Sequence, residues 1–137
     1  RSRMPLVTEF LDLVGGKRMN LNDARQSIVL FREMAEEIKS QARKFIIFPE
    51  GGYDNNENTV FDFKPGAFKA AMMAKVPIVP VALVDSYKVF QGFSLRKVTT
   101  QVHFLKPLYY DDYKEMSTKE IAAEVRSQIE KKIAEAA

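Results

Sequence analysis

The run Phe45-Ile46-Ile47-Phe48-Pro49-Glu50-Gly51-Gly52 constrains this chain more than any other stretch. Its first four residues are β-branched or aromatic and show no helical stripe. A short continuous apolar run of this kind predicts a buried strand, in a sheet covered on both faces. Pro49 ends the strand, because proline has no N–H to give to a ladder. Glu50 follows, and then Gly51 and Gly52, which permit positive φ and close approach of a ligand to the backbone. Open α/β sheets build sites by delivering an acid into a glycine-lined loop in this way. The same spelling also fits a strand that ends in an ordinary turn.

The 137 residues suffice for one domain with one core. A hydrophobic content of 46% against 28% charged residues is a globular balance and argues against disorder. With no cysteine and one histidine, disulfides, thiolate sites and histidine-rich metal sites are excluded. A net charge of +3 suits an anionic partner without choosing among phosphate, lipid headgroup and nucleic acid. No apolar run approaches the length of a membrane span, and no signal peptide is visible at the start.

Around the central run, periodicity predicts the remaining elements. Residues 4–14 place Leu6, Phe10, Leu13 and Val14 at helical spacing, with Pro5 in the first turn and Gly15-Gly16 at the end. A second helix is expected from Asp23 to about Gln41, capped by Asn20 or Asn22, burying Ile28, Phe31, Met34, Ala35 and Ile38. Residues 51–65 read as a long loop of the functional kind. Its Asp54-Asn55-Asn56-Glu57-Asn58 run carries oxygen ligands without the spacing of a calcium loop, so no metal is assigned. A short helix is expected over 66–75 with Phe68, Ala71 and Met72 inward. Residues 76–84 read as a second buried strand, with Pro77 and Pro80 marking a bulge or a strand start. Residues 98–105 alternate, with Val98, Thr100, Val102 and Phe104 on one face. Ser117 and Glu120 spell a capping box for a C-terminal helix that docks by Ile121, Val125, Ile129 and Ile133. The order predicts an α/β fold with a mixed, partly parallel sheet flanked by helices, in a single domain over 1–137.

Three short motifs occur in order: Phe48-Pro49-Glu50-Gly51, then Phe63-Lys64-Pro65-Gly66-Ala67-Phe68, then Ile78-Val79-Pro80-Val81. Together they resemble the glycerolipid acyltransferases, most closely the lysophosphatidic acid acyltransferases, over roughly residues 5 to 106 and densely from 44 to 85. The resemblance implies a glycerol-3-phosphate acyltransferase-like fold. It also implies phospholipid biosynthesis: transfer of a fatty acyl group from acyl-CoA or acyl-carrier protein to lysophosphatidic acid or a related glycerolipid. No cofactor is implied, and the setting is the cytoplasmic face of a membrane. On the acceptor side it implies roles for Glu50 and Gly51, for Lys64 and, through a looser match to a second motif, for Arg18. Ile78, Val79, Pro80 and Val81 match the segment linked to the acyl-donor side, and equally fit plain core.

Acyl transfer needs a base for the acceptor hydroxyl, donors for the developing oxyanion and a clamp on the acceptor. The family's base is a histidine followed five positions later by aspartate. Here His103 is followed at that distance by Leu108, so no catalytic residue is assigned within this chain. His103 is expected to be a structural or solvent-facing strand residue, on the face opposite Val102 and Phe104. The chain therefore reads as the C-terminal part of an acyltransferase domain, truncated at the N-terminus, inactive alone and prone to self-association along the seam. A second departure is Gly52-Tyr53 where the family continues threonine-arginine, which removes one phosphate clamp. Glu50 either meets a glycerol hydroxyl or a neighbouring cation, or simply pins its own loop by accepting backbone N–H bonds.

Two rivals follow from the same residues. One is a non-catalytic module for anionic lipid headgroups or a protein partner, favoured by the absent histidine–aspartate pair. The other is nucleic-acid binding through Lys88, Arg96 and Lys97 with Tyr87, Phe90 and Phe93; the stripe is too thin, and no nucleic-acid partner is assigned.

Overall fold

The computed structural model describes residues 24–41, 43–52, 57–90 and 97–137. The predicted helix over 4–14, its Gly15-Gly16 end, Arg18 and the Asn20 or Asn22 cap lie outside the described residues. The first helix, α1, spans Ala24–Gln41 and buries Phe31, Met34 and Ala35. Ile28, expected in that stripe, is 43% exposed. After residues 43–48 comes a 3₁₀ turn at Pro65–Phe68, continued by helix α2, Lys69–Ala74. Lys75, in the left-handed region at φ 58, closes α2. Phe68, Ala70 and Ala74 face inward, and Met72 packs at the edge of the core.

Strand β1 is Val81–Val84, and a 3₁₀ segment follows at Ser86–Phe90. Strand β2 is Gln101–Phe104, then α3 at Tyr110–Tyr113 and α4 at Thr118–Ala136. The prolines act as expected: Pro77 and Pro80 hold residues 76–80 out of the strand, leaving an isolated bridge between Ile78 and Leu108. The capping box of α4 forms as spelled, with Ser117 N donating to Glu120 Oε2 at 2.6 Å and Glu120 N to Ser117 Oγ at 3.3 Å. Ile121, Val125 and Ile129 are buried along its stripe.

The sheet corrects the expectation of a partly parallel one. Among the described residues it has two strands, paired antiparallel, with Val81 opposite Phe104 and Val84 opposite Gln101. Residues 43–48 lie outside any strand ladder. Phe45 and Ile47 turn into the core while Ile46 and Phe48 are 88% and 70% exposed, so the run is not covered on both faces. A two-stranded sheet with helix α4 on one side can bury only that side. Ala82 and Val84 take it, at 0% exposure. Their register partners His103 and Gln101 lie on the same face. Val102 and Phe104, expected to share one face of the strand, therefore point to solvent together.

The main core joins Val60, Phe63, Phe68, Ala82, Leu108 and Tyr113 to the stripe of α4. A second cluster joins Phe31, Met34 and Ala70, and Ile47 packs against both. The central run thus links the two clusters through one side chain.

Candidate acceptor site

The Gly51 N–H donates to the Phe48 carbonyl at 3.2 Å, closing a turn with Pro49 and Glu50 at its centre. Proline at the second position and glycine at the fourth are what a common β-turn prefers. Gly51 has φ 73, a conformation that a Cβ makes costly, whereas Gly52 has open space around it. Gly51→Ala should therefore cost about 1–2 kcal/mol of stability, and Gly52→Ala should stay within about 0.5 kcal/mol, both read from urea unfolding midpoints. Glu50 sits at the apex, half-buried.

The Lys64 N–H donates to the Pro49 carbonyl at 2.7 Å. This bond joins the peptide that leads into Glu50 to the backbone of Lys64. Lys64 is held extended, at φ −72 and ψ 113, by its neighbours: Phe63 before it and Ala67 and Phe68 after it are buried. Two of the acceptor residues expected from sequence are thereby brought together, and Arg18 lies outside the described residues. The support expected from a helix N-terminus behind Lys64 is weak, because the element there is a four-residue 3₁₀ turn without a side-chain cap. Of the residues expected on the donor side, Pro80 is buried, Ile78 packs on the main core and Val79 is 46% exposed.

A shallow groove of about 190 Å³ lies beside Lys64, lined by Asp62, Phe63, Pro65, Lys119, Ala122, Ala123 and Arg126. It is smaller than the ~300 Å³ at which ligand pockets usually begin, and Glu50 does not line it. Arg126 anchors its wall. Its guanidinium pairs with Asp62, donates to the Val60 carbonyl at 3.2 Å and meets Glu130 at 2.8 Å. His103 Nε2 lies 3.0 Å from Gln101 Oε1, and Gln101 Nε2 donates to Ala136 O at the end of α4.

Sequence inspection passed over a polar node at the exit of β1. Asn58 Nδ2 donates to Asp85 Oδ1 at 3.0 Å, and Asp85 N donates to Asn58 Oδ1 at 2.9 Å. Lys88 Nζ lies 2.6 Å from Asp85 Oδ2. Hydrogen bonds from Lys88 and then Asn58 hold the Asp85 carboxyl below its ordinary range. Asn58, the last residue of the oxygen-rich run, is thus engaged by Asp85. The only hint in the sequence was the Asx character of both residues, which tolerates left-handed backbone and side-chain-to-backbone bonds.

The Acyltransferase family matches residues 2–84, which is more than half of the chain. The chain belongs to that family. Among curated proteins it is similar to the 1-acyl-sn-glycerol-3-phosphate acyltransferase of Escherichia coli, 29% identical over 96% of this chain and 54% of that protein. It is also similar to the enzyme of that name from Saccharomyces cerevisiae, at 28% identity over 92% of this chain and 43% of that one. A third is the alpha form from Ovis aries, at 33% identity over 73% of this chain and 35% of that protein. The chain spans about half the length, or less, of the curated relatives it matches. No solved structure matches it. The family match contains all of the turn at Glu50, Lys64, residues 78–81 and the rest of β1 to Val84, and ends before β2 and α4. No helix among the described residues is long and apolar enough to cross a membrane.

Proposed function

We propose that this chain forms the acceptor-binding part of an enzyme of phospholipid biosynthesis. That enzyme moves a fatty acyl group from acyl-CoA or acyl-carrier protein to lysophosphatidic acid or a related glycerolipid, on the cytoplasmic face of a membrane. Lys64 supplies a cation for the acceptor phosphate, and the Gly51 and Gly52 backbone allows close approach. Arg18 is the second cation. Glu50 accepts from a glycerol hydroxyl, since a carboxylate against the phosphate itself is repulsive. Residues Ile78, Val79, Pro80 and Val81 lie toward the donor. The base is not among these 137 residues, because His103 lacks the partner aspartate and is spent on Gln101.

The observation that carries the proposal is the Lys64 N–H bond to the Pro49 carbonyl, which puts a cation-bearing backbone beside the Glu50 turn. The experiment is titration with sn-glycerol 3-phosphate, followed by two-dimensional NMR. Binding should perturb the amides of Glu50, Gly51 and Lys64, and Lys64→Ala should weaken it about tenfold, or about 1.4 kcal/mol. The same protein should give no thioester turnover. Undiminished binding by Lys64→Ala together with Arg18→Ala overturns the acceptor assignment; turnover at ordinary enzymatic rates overturns the absence of a base.

The alternative, a non-catalytic module for anionic headgroups, is favoured by the same missing pair. It predicts equal binding of phosphate esters with and without a glycerol backbone. The outward apolar face of the β1–β2 sheet also supports the proposal that this polypeptide self-associates when isolated.

A further inference from the structure

Helix α4 backs the segment that carries Lys64. Phe63 before that lysine and Pro65 after it line the same shallow groove as Ala122, Ala123 and Arg126 of α4. Arg126 uses all three guanidinium nitrogens there. Its Nη2 donates to the Val60 carbonyl at 3.2 Å, its Nη1 to Asp62 Oδ1, and its Nε to Glu130 Oε1 at 2.8 Å. Glu130 lies one turn further along α4, so the helix itself sets the plane of the guanidinium. A planar fork with fixed donor directions can then hold two points of a neighbouring segment in register. The Asp62 side chain is 95% exposed, so that ion pair alone contributes little. The bond to the carbonyl of buried Val60 is the firmer one, because its donor is charged and its acceptor belongs to a core residue. From Asp62 the chain passes through buried Phe63 to Lys64. The Lys64 N–H donates to the Pro49 carbonyl at 2.7 Å, and the Lys64 carbonyl accepts from the Ala67 N–H at 3.0 Å.

We propose that Arg126 is a positioning residue for the acceptor: it sets the register of residues 60–62, and thereby the place of Lys64 beside the Glu50 turn. Its bearing on the acceptor rests on the function proposed above for Lys64. Arg126 lies beyond residue 84, where the family match ends. It acts through geometry. Asp62 and Glu130 offset its charge, so its own field at a phosphate is weak. The backbone at Lys64 is engaged on both sides, and a shift of Val60 and Asp62 is passed to it through one buried residue.

The test uses the whole chain, isotopically labelled, with Arg126→Met and Arg126→Lys. Methionine keeps an unbranched stem and removes the donors. Lysine keeps the charge and loses the fork. Three readouts are taken: the Val60 carbonyl resonance, the Lys64 amide resonance with its exchange rate, and the dissociation constant for sn-glycerol 3-phosphate. Both variants should shift the Val60 and Lys64 resonances and weaken binding about fivefold. Exchange at Lys64 should rise at least tenfold relative to Ala35 in α1, which reports overall stability. A purely stabilising role would speed both amides equally and leave the affinity unchanged. A Lys64 amide that stays in place in both variants, or speeds no more than Ala35, overturns the proposal, as does an unchanged affinity in both. Arg126→Lys with the affinity and the Lys64 resonance of the unsubstituted chain also overturns it, because charge alone would then suffice. Where Arg126→Met does not fold, Arg126→Lys decides. If the unsubstituted chain does not bind glycerol phosphate, the acceptor assignment falls, and the Val60 and Lys64 readouts alone decide whether Arg126 sets this segment.

Discussion

Replacing Tyr113 by alanine should destabilise the protein by about 3–5 kcal/mol, and replacing it by phenylalanine by about 1–3 kcal/mol. The two substitutions separate ring from hydroxyl. The ring is 0% exposed within the main core and meets Tyr110 edge to face, with centroids 5.5 Å apart. The hydroxyl donates to the Val76 carbonyl at 2.5 Å, with the Ala71 carbonyl at 3.2 Å. Those carbonyls belong to the last turn of α2 and to the residue two places before Ile78. Phenylalanine would leave the Val76 carbonyl without this donor, so the hydroxyl's share of the loss is a desolvation cost. Burial, and behind it Tyr110, pushes the Tyr113 phenol up from 10.0 to about 12. The sign follows from that direction. The folded state holds the neutral phenol more tightly than the unfolded chain does, so this stabilisation is complete below pH 10 and is lost as pH rises from 10 to 12. Urea midpoints measured at pH 8 and pH 11 should fall more for the unsubstituted protein than for Tyr113→Phe. Equal falls would remove Tyr113 from the account.

That tyrosine was not legible in the sequence, and the reason is physical. A period reveals which side chains face a core, and Tyr113 lies in a four-residue helix too short to have one. The long elements were legible because they have periods and caps. Helix α1 ends at Gln41, where its period was expected to stop, and α4 formed its capping box and buried its stripe. Sheet topology was not legible, because apolar runs say that a strand is buried without saying against what. Residues 45–48 have a buried strand's composition, yet in the described structure only Phe45 and Ile47 turn inward. The alternation expected over residues 98–105 appears only from Gln101 onward, residues 98–100 being exposed throughout, and Val102 and Phe104 face outward while Ala82 and Val84 are buried on the opposite face. For the site, the motifs named Glu50, Gly51 and Lys64, and local chemistry required the turn. The bond between Lys64 and Pro49 could not be foreseen, since nothing in either tetrapeptide encodes its distance from the other. The Asn58–Asp85 pair was hidden for the same reason: each residue alone reads as loop punctuation.

The outward face of the sheet should drive association of the isolated chain, and removing it should weaken that association at least tenfold. Leu83, Val102 and Phe104 are 42%, 55% and 76% exposed, and the register sets Leu83 against Val102 and Val81 against Phe104. These side chains therefore form one contiguous apolar surface. Soluble monomers rarely keep such a surface in water without a use for it. β2 pairs on one side only among the described residues, so its outer edge offers unpaired backbone groups to a neighbour as well. Ile46 and Phe48 add further exposed apolar area at the central run. Light scattering across a dilution series should give a mass above 15.7 kDa that falls toward it on dilution. Val102→Thr with Phe104→Thr places strand-favouring β-branched residues at both positions and removes much of the apolar surface. This pair should shift the dilution curve at least tenfold toward monomer while moving the unfolding free energy by no more than about 0.5 kcal/mol, because neither side chain is packed. A stable monomer at 100 times the dilute end of the series, before any substitution, would show that this face is satisfied within the single chain. A large loss of stability in the double variant would show that the face is packed rather than open.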